Sequence, residues 1–114
     1  MTQRDLSLLQ GTLDLLVLKA LAQGAQHGYG VAQSIRETTD GAIEVEDGAL
    51  YTSLHRMERK RWVRATWGLS GNNRKAKFYA LTAAGRRQLS EQEMAWARYV
   101  EAVGKVLRAA EGGA

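Results

Sequence analysis

The chain contains no cysteine and no proline among its 114 residues. Without cysteine there is neither a disulfide framework nor a thiolate metal site. Without proline nothing interrupts a helix from within, which suits a chain dominated by helix. Long apolar runs are absent too. Leu13 to Leu18 is broken by Asp14 and followed by Lys19, well short of the roughly 18 apolar residues of a membrane span. The start carries no basic-then-apolar signal pattern, so a cytoplasmic protein with no membrane partner is expected. His27 and His55 are the only histidines, and no carboxylate pair accompanies them at ligand spacing, so no metal site is expected. No serine is arranged with a histidine base in a known catalytic order. Gly24, Gly28 and Gly30 do not follow a strand, so they are not a dinucleotide motif. No catalytic residue and no cofactor is expected.

What the chain does have is concentrated positive charge. Ten of its sixteen Lys and Arg residues lie between Gly48 and Arg87, where Glu58 is the sole acid. That segment carries +9 and the remainder −5, so the modest net charge of +4 conceals a basic module in an acidic frame. Phosphate backbones attract such surfaces through counterion release, without regard to base sequence. A solvated Lys/Arg-rich face is the other reading, and charge density alone leaves both open. The length is that of one domain, and domains this small often gain stability by pairing.

Hydrophobic spacing supplies the shape. Leu13, Leu16, Val17, Ala20 and Leu21 fall on one face of a helix, with Thr12 as N-cap and Gly24 as terminator. Leu15, Leu18 and Ala22 make a second apolar face, so one side is expected to meet a partner subunit. Gly28-Tyr29-Gly30 opens a second helix through about Thr38, with Val31 and Ile35 inward. Asp40-Gly41 is a turn, and Ile43 and Val45 suit a very short strand. A third helix starts near Asp47, with Leu50, Leu54 and Met57 inward. Ala49, Thr52, Ser53, Arg56, Arg59 and Lys60 face outward, and Tyr51 and His55 flank. From Trp62 the period becomes two: a strand to Leu69, a turn at Ser70-Gly71-Asn72-Asn73, and a second strand from Arg74 to Leu81. Tyr29 and Tyr79 are expected in the core. Thr82 caps a last helix to about Ala110, whose seam is Leu89, Trp96, Val100, Val103 and Leu107. That seam predicts pairing with a second copy of itself; folding back over helix 1 is the other possibility.

Three helices followed by a two-stranded wing make a winged helix-turn-helix, so the fold class is mainly α with a small β-hairpin. The expected organisation is a DNA-binding domain over 1–81, a dimerisation helix over 82–111 and a disordered tail over 112–114. In such folds the helix before the wing enters the major groove with its N-terminal residues at base edges. Ala49, Tyr51, Thr52 and Ser53 occupy that start, and Thr52 and Ser53 can exchange hydrogen bonds with bases. Tyr51 suits either a base edge or packing under the wing. Arg56, Arg59 and Lys60 suit phosphates, which position a helix but carry little sequence information. Asn73, Arg74, Lys75 and Lys77 at the hairpin suit a neighbouring phosphate row or a minor groove. Double-stranded DNA is therefore the expected partner. A winged-helix module whose basic face meets an acidic partner protein is the alternative, and a salt titration with specific and scrambled duplexes separates the two.

The sequence also resembles the PadR family of bacterial transcriptional regulators. The carrying residues are Leu9-Gln10-Gly11-Thr12-Leu13-Asp14, His27-Gly28-Tyr29-Gly30, Gly48-Ala49-Leu50-Tyr51 and Leu54-His55-Arg56-Met57-Glu58. Arg74-Lys75-Ala76-Lys77-Phe78-Tyr79, Leu81-Thr82 and Gly85-Arg86 complete the set. The single terminal helix resembles the short branch of the family. The resemblance implies a homodimeric winged-helix repressor, often of transporter or stress genes, paired through that helix; the second apolar face of the first helix adds Leu15 and Leu18 to the expected dimerisation residues. Trp96 then anchors the interface. In multidrug-sensing members a tryptophan at the matching place stacks on flat aromatic ligands between subunits, which implies a small aromatic effector at Trp96 here. One departure is Thr52, where the family commonly has proline; it adds a donor and acceptor at the start of the helix.

Overall fold

A computed structural model describes residues 12–112. Leu9, Gln10 and Gly11 of the first motif, and Gly113 and Ala114 of the expected tail, lie outside the described residues. The elements run α1 (Leu13–Ala22), β1 (Gln26–His27), α2 (Gly28–Thr38), α3 (Asp47–Arg59), β2 (Val63–Leu69), β3 (Lys75–Leu81) and α4 (Ala83–Gly112). The winged helix is formed as expected, with two differences in its strands. Ile43 and Val45 form no strand and instead pack half-buried against the core. The extra strand is β1, which pairs antiparallel with β3 (Gln26 opposite Tyr79, His27 opposite Phe78), giving the order β1-β3-β2.

α1 is the centre of the molecule. Leu13, Val17, Leu18, Ala20 and Leu21 are buried, and α2, α3, β3 and the start of α4 surround them. The second apolar face therefore finds its cover within the chain. Leu18 is fully buried and unavailable to a partner, and Leu15 is half-buried against the core. The reason is the path of α4, which begins by crossing α1. Leu89 joins the same core, and Lys19 Nζ reaches Glu93 Oε2 at 2.9 Å. Leu89 is thus a core residue, not part of the exposed seam. Beyond that crossing α4 departs. Trp96, Tyr99, Val100, Val103, Val106 and Leu107 are all exposed, and the helix runs to Gly112.

Three local devices set the angles between elements. At the end of α2, Gly41 N–H donates to Arg36 O at 2.8 Å and Asp40 N–H to Glu37 O at 3.1 Å. At the end of α3, Trp62 N–H donates to Met57 O and Arg61 N–H to Glu58 O. Both are Schellman closures, with Asp40 (φ 53°) and Arg61 (φ 63°) left-handed at the position that glycine favours. The third device seats α4 on the wing. Thr82 Oγ1 accepts from Gly85 N–H at 3.0 Å and donates to Arg61 O at 2.7 Å, while Thr82 N–H donates to Trp62 O at 3.0 Å. Gly85 is buried against that Trp62 carbonyl.

Candidate nucleic-acid interface

α3 buries one stripe and exposes the rest. Its N-cap is Glu46, one residue before the expected Asp47, which lies in the first turn where an acid suits the helix dipole. Leu50, Ser53, Leu54 and Met57 are buried, at i, i+3, i+4 and i+7. Ser53 was expected to face outward. It belongs instead to the inward stripe, 1% exposed, with its hydroxyl donating to Asp14 Oδ1 at 2.7 Å. As placed, it reaches no base edge. The side chains left outside along α3 are Asp47, Tyr51, Thr52, His55 and Arg59, with Ala49 half-covered.

Arg56 is also partly engaged. Its Nη2 donates to the same Asp14 oxygen, so α1 and α3 are joined through one carboxylate. This hydrogen bond raises the guanidinium pKa above its ordinary value; desolvation opposes the shift and the Asp14 charge adds to it. Burying Ser53 is tolerable because the acceptor is charged. Arg56 remains partly exposed, yet it differs from the unpaired phosphate clamp that its spacing suggested.

The wing stands across from α3. Ser70 N–H donates to Arg74 O at 2.8 Å, and Asn73 takes φ 67°, so the tip holds Asn73, Arg74 and Lys75 in the open. Lys77 lies lower and half-buried. Its Nζ is 3.4 Å from Glu58 Oε1 and 5.8 Å from the centre of the Tyr79 ring. Tyr79 is buried as expected, and burial, then Glu58 and Tyr51, push its phenol pKa up. Tyr29 does the opposite of what was expected: at 71% exposed it stands at the start of α2, outside the core. A core tyrosine at that helix start was read from residue type alone, and the buried position there is Gly28, pressed by the Tyr51 ring.

Two hollows result. One of about 750 Å³ lies between the start of α2, α3 and the wing, and its walls include Tyr29, Tyr51, Trp67, Arg74, Lys75 and Lys77. Among the described residues, no aspartate or glutamate lines it. The other, about 300 Å³, lies on the opposite side of α3 between Ala49, Thr52, Ser53, Arg56, Asp14 and Glu46, and is partly acidic. The structure thus brings Tyr51, Arg74, Lys75 and Lys77 to one groove. Ala49 and Thr52 sit on the other flank, Arg59 near the far end of α3, and Asn73 at the wing tip. His27 fixes the corner: its Nδ1 accepts from Gly30 N–H at 3.0 Å, capping α2, and its ring meets Phe78 edge-on at 5.3 Å. Among the described residues, no group of three or more His, Cys, Asp or Glu could hold a metal ion, and no helix is long and apolar enough to cross a membrane.

Comparison with known proteins agrees with this geometry. A model of the transcriptional regulator PadR-like family matches residues 17–91. A PadR family transcriptional regulator from Eggerthella lenta is 32% identical, with 93% of this chain and 90% of that one covered and a TM-score of 0.77. A PadR-like transcriptional regulator from Bacillus cereus is 26% identical over 89% of this chain and 96% of its own, at a TM-score of 0.75. Among curated proteins, an uncharacterized protein X of Lysinibacillus sphaericus is 28% identical over 96 residues, which cover 84% of this chain and 88% of the relative.

Proposed function

The chain belongs to the PadR-like family of transcriptional regulators, DNA-binding proteins and not enzymes, and we propose that it acts in the cytoplasm as a homodimeric repressor. The observation that carries this reading is the juxtaposition of Tyr51 and His55 of α3 with a basic wing across a groove that no carboxylate among the described residues lines. A helix so presented enters a major groove, and the wing cations meet the phosphates beside it. Thr52 and Ala49 lie nearest base edges, with Tyr51 on the wing side. Arg59, Asn73, Arg74, Lys75 and Lys77 hold the backbone, and Arg56 assists from its place against Asp14.

The exposed face of α4 supports dimerisation. Six large apolar side chains, Trp96 to Leu107, are exposed on one helix, a surface of the kind that marks an interface. Pairing along Trp96, Val100, Val103 and Leu107, with residues 82–111 as the dimerisation element and 1–81 as the DNA-binding domain, presents two α3 helices to half-sites about 34–36 Å apart. The operator is then a short inverted repeat, and the controlled genes are those of a transporter or stress response. A planar aromatic effector, held between the paired Trp96 rings, releases the repressor. Trp96 and Tyr99 already lie with ring centres 6.0 Å apart, an aromatic surface suited to such a ligand.

Nuclease footprinting on the promoter upstream of the chain's own gene tests the proposal. A protected inverted repeat, with transcription that rises when the protein is removed, supports it. Uniform cleavage across the promoter at micromolar protein, far above the affinity of a specific site, overturns it.

A further inference from the structure

We propose that Trp67 is a DNA contact: the groove between α3 and the wing seats one strand of the bound duplex, with the indole against a deoxyribose and the wing cations on the flanking phosphates. The inference rests on the DNA-binding reading and adds a ring contact to it.

Strand parity places Val63, Ala65, Trp67 and Leu69 on one face of β2. The first two belong to the core, with Val63 buried and Ala65 packed on it. The last two leave it, Trp67 at 64% and Leu69 at 65% exposed. Across the ladder, Trp67 is opposite Lys77 and Leu69 opposite Lys75. The Lys75 ammonium stands 5.4 Å from the Trp67 ring centre. Tyr51 from α3 and Tyr29 from α2 supply further rings to the same groove, and Arg74 a third cation. Water is a poor partner for an indole so exposed, and the chain's own core has no use for it. Rings and cations lining one channel, with no acid among the described residues, suit the backbone of a duplex, the rings taking the apolar faces of the sugars and the cations the phosphates. A small aromatic anion leaves most of a 750 Å³ groove unfilled.

The test leaves Trp67 as sole indole by Trp62→Phe and Trp96→Phe, and follows its emission against the anisotropy of a labelled duplex selected by the wild-type protein. The expected result is an emission change and acrylamide protection at the same midpoint as the anisotropy. In the otherwise wild-type chain, Trp67→Ala lowers affinity about 2- to 12-fold, the effect of one aromatic contact, and leaves the log–log salt slope unchanged. Trp67→Phe recovers most of that loss, whereas Lys75→Ala reduces the slope by about 0.9. Were Trp67 merely a brace for Lys75, its removal would change the slope as well, which overturns the proposal. So does a duplex that binds while Trp67 stays open to quencher, or equal protection by polyglutamate or benzoate. Failure of every duplex to bind removes the DNA reading itself, an outcome distinct from binding without protection.

Discussion

Replacing Gly85 by alanine sets two physical effects against each other with opposite signs. On helix propensity alone the change stabilises, since alanine in a helix interior is better than glycine by about 1 kcal/mol. The packing says otherwise. A methyl at Gly85 would lie 2.0 Å from the Trp62 carbonyl oxygen and 3.0 Å from its carbon. Ordinary contact is about 3.5 Å, so the backbone of α4 and the wing must separate by roughly 1.5 Å. No flexible side chain can yield there. Overpacking of this kind costs about 1–3 kcal/mol. The separation also strains the bonds from Thr82 N–H and Oγ1 to the Trp62 oxygen and the cap on Gly85 N–H, about 1 kcal/mol for the cap and about 1 for the remainder. Net of propensity, Gly85→Ala destabilises by about 2–4 kcal/mol. At about 4 °C per kcal/mol for a domain this size, the melting temperature falls by roughly 8–16 °C. Thermal unfolding followed by circular dichroism at fixed protein concentration measures it. An unchanged or raised melting temperature would show that α4 is not seated on Trp62 as described.

Asp14→Ala should cost about 1–3 kcal/mol in urea unfolding, chiefly because the buried Ser53 hydroxyl loses its acceptor; Ser53→Ala in the same background should then cost little more, and additive losses would contradict the shared carboxylate. Thr52→Ala should alter the ranking of duplex sequences in competition binding, whereas Arg59→Ala should weaken all of them alike and reduce the salt slope by about 0.9. Parallel effects of the two would reverse their assigned roles. Val103→Asp, on the exposed seam of α4, should convert a dimer to a monomer in sedimentation at micromolar concentration, while Lys19→Ala, on the crossing with α1, should leave assembly unchanged. His27→Ala should lower stability by about 0.5–2 kcal/mol through the lost α2 cap, seen as a lower urea midpoint.

The elements were largely legible because their periods are clean. α1, α2, α3 and the hairpin each follow a 3.6 or 2.0 repeat, and Thr82 and Ser70-Gly71-Asn72-Asn73 carry unambiguous cap and turn chemistry. What sequence could not supply was the partner of each polar group. Ser53 reads as a surface residue until Asp14, 39 positions away, is seen to accept from it; its place at i+3 from Leu50 was the available signal. Leu18 reads as unpartnered because α4's crossing of α1 is a tertiary event. β1 is two residues long, too short for any period, and is held by its pairing to β3. Tyr29 and Trp67 escaped notice as surface residues because aromatic type is a poor guide to burial at helix starts and hairpin ends. Gly85 was visible only as part of a family motif, and the Trp62 carbonyl supplies its physical reason.

The central claim is that duplex DNA lies against the start of α3 and the wing of a paired molecule. Binding to the selected inverted repeat and to its scrambled counterpart, titrated with salt, tests it most directly. The account predicts a log–log slope of about −0.9 for every phosphate neutralised and a preference for the repeat of roughly 4–10 kcal/mol. A flat salt response, or equal affinity for repeat and scramble, would contradict it.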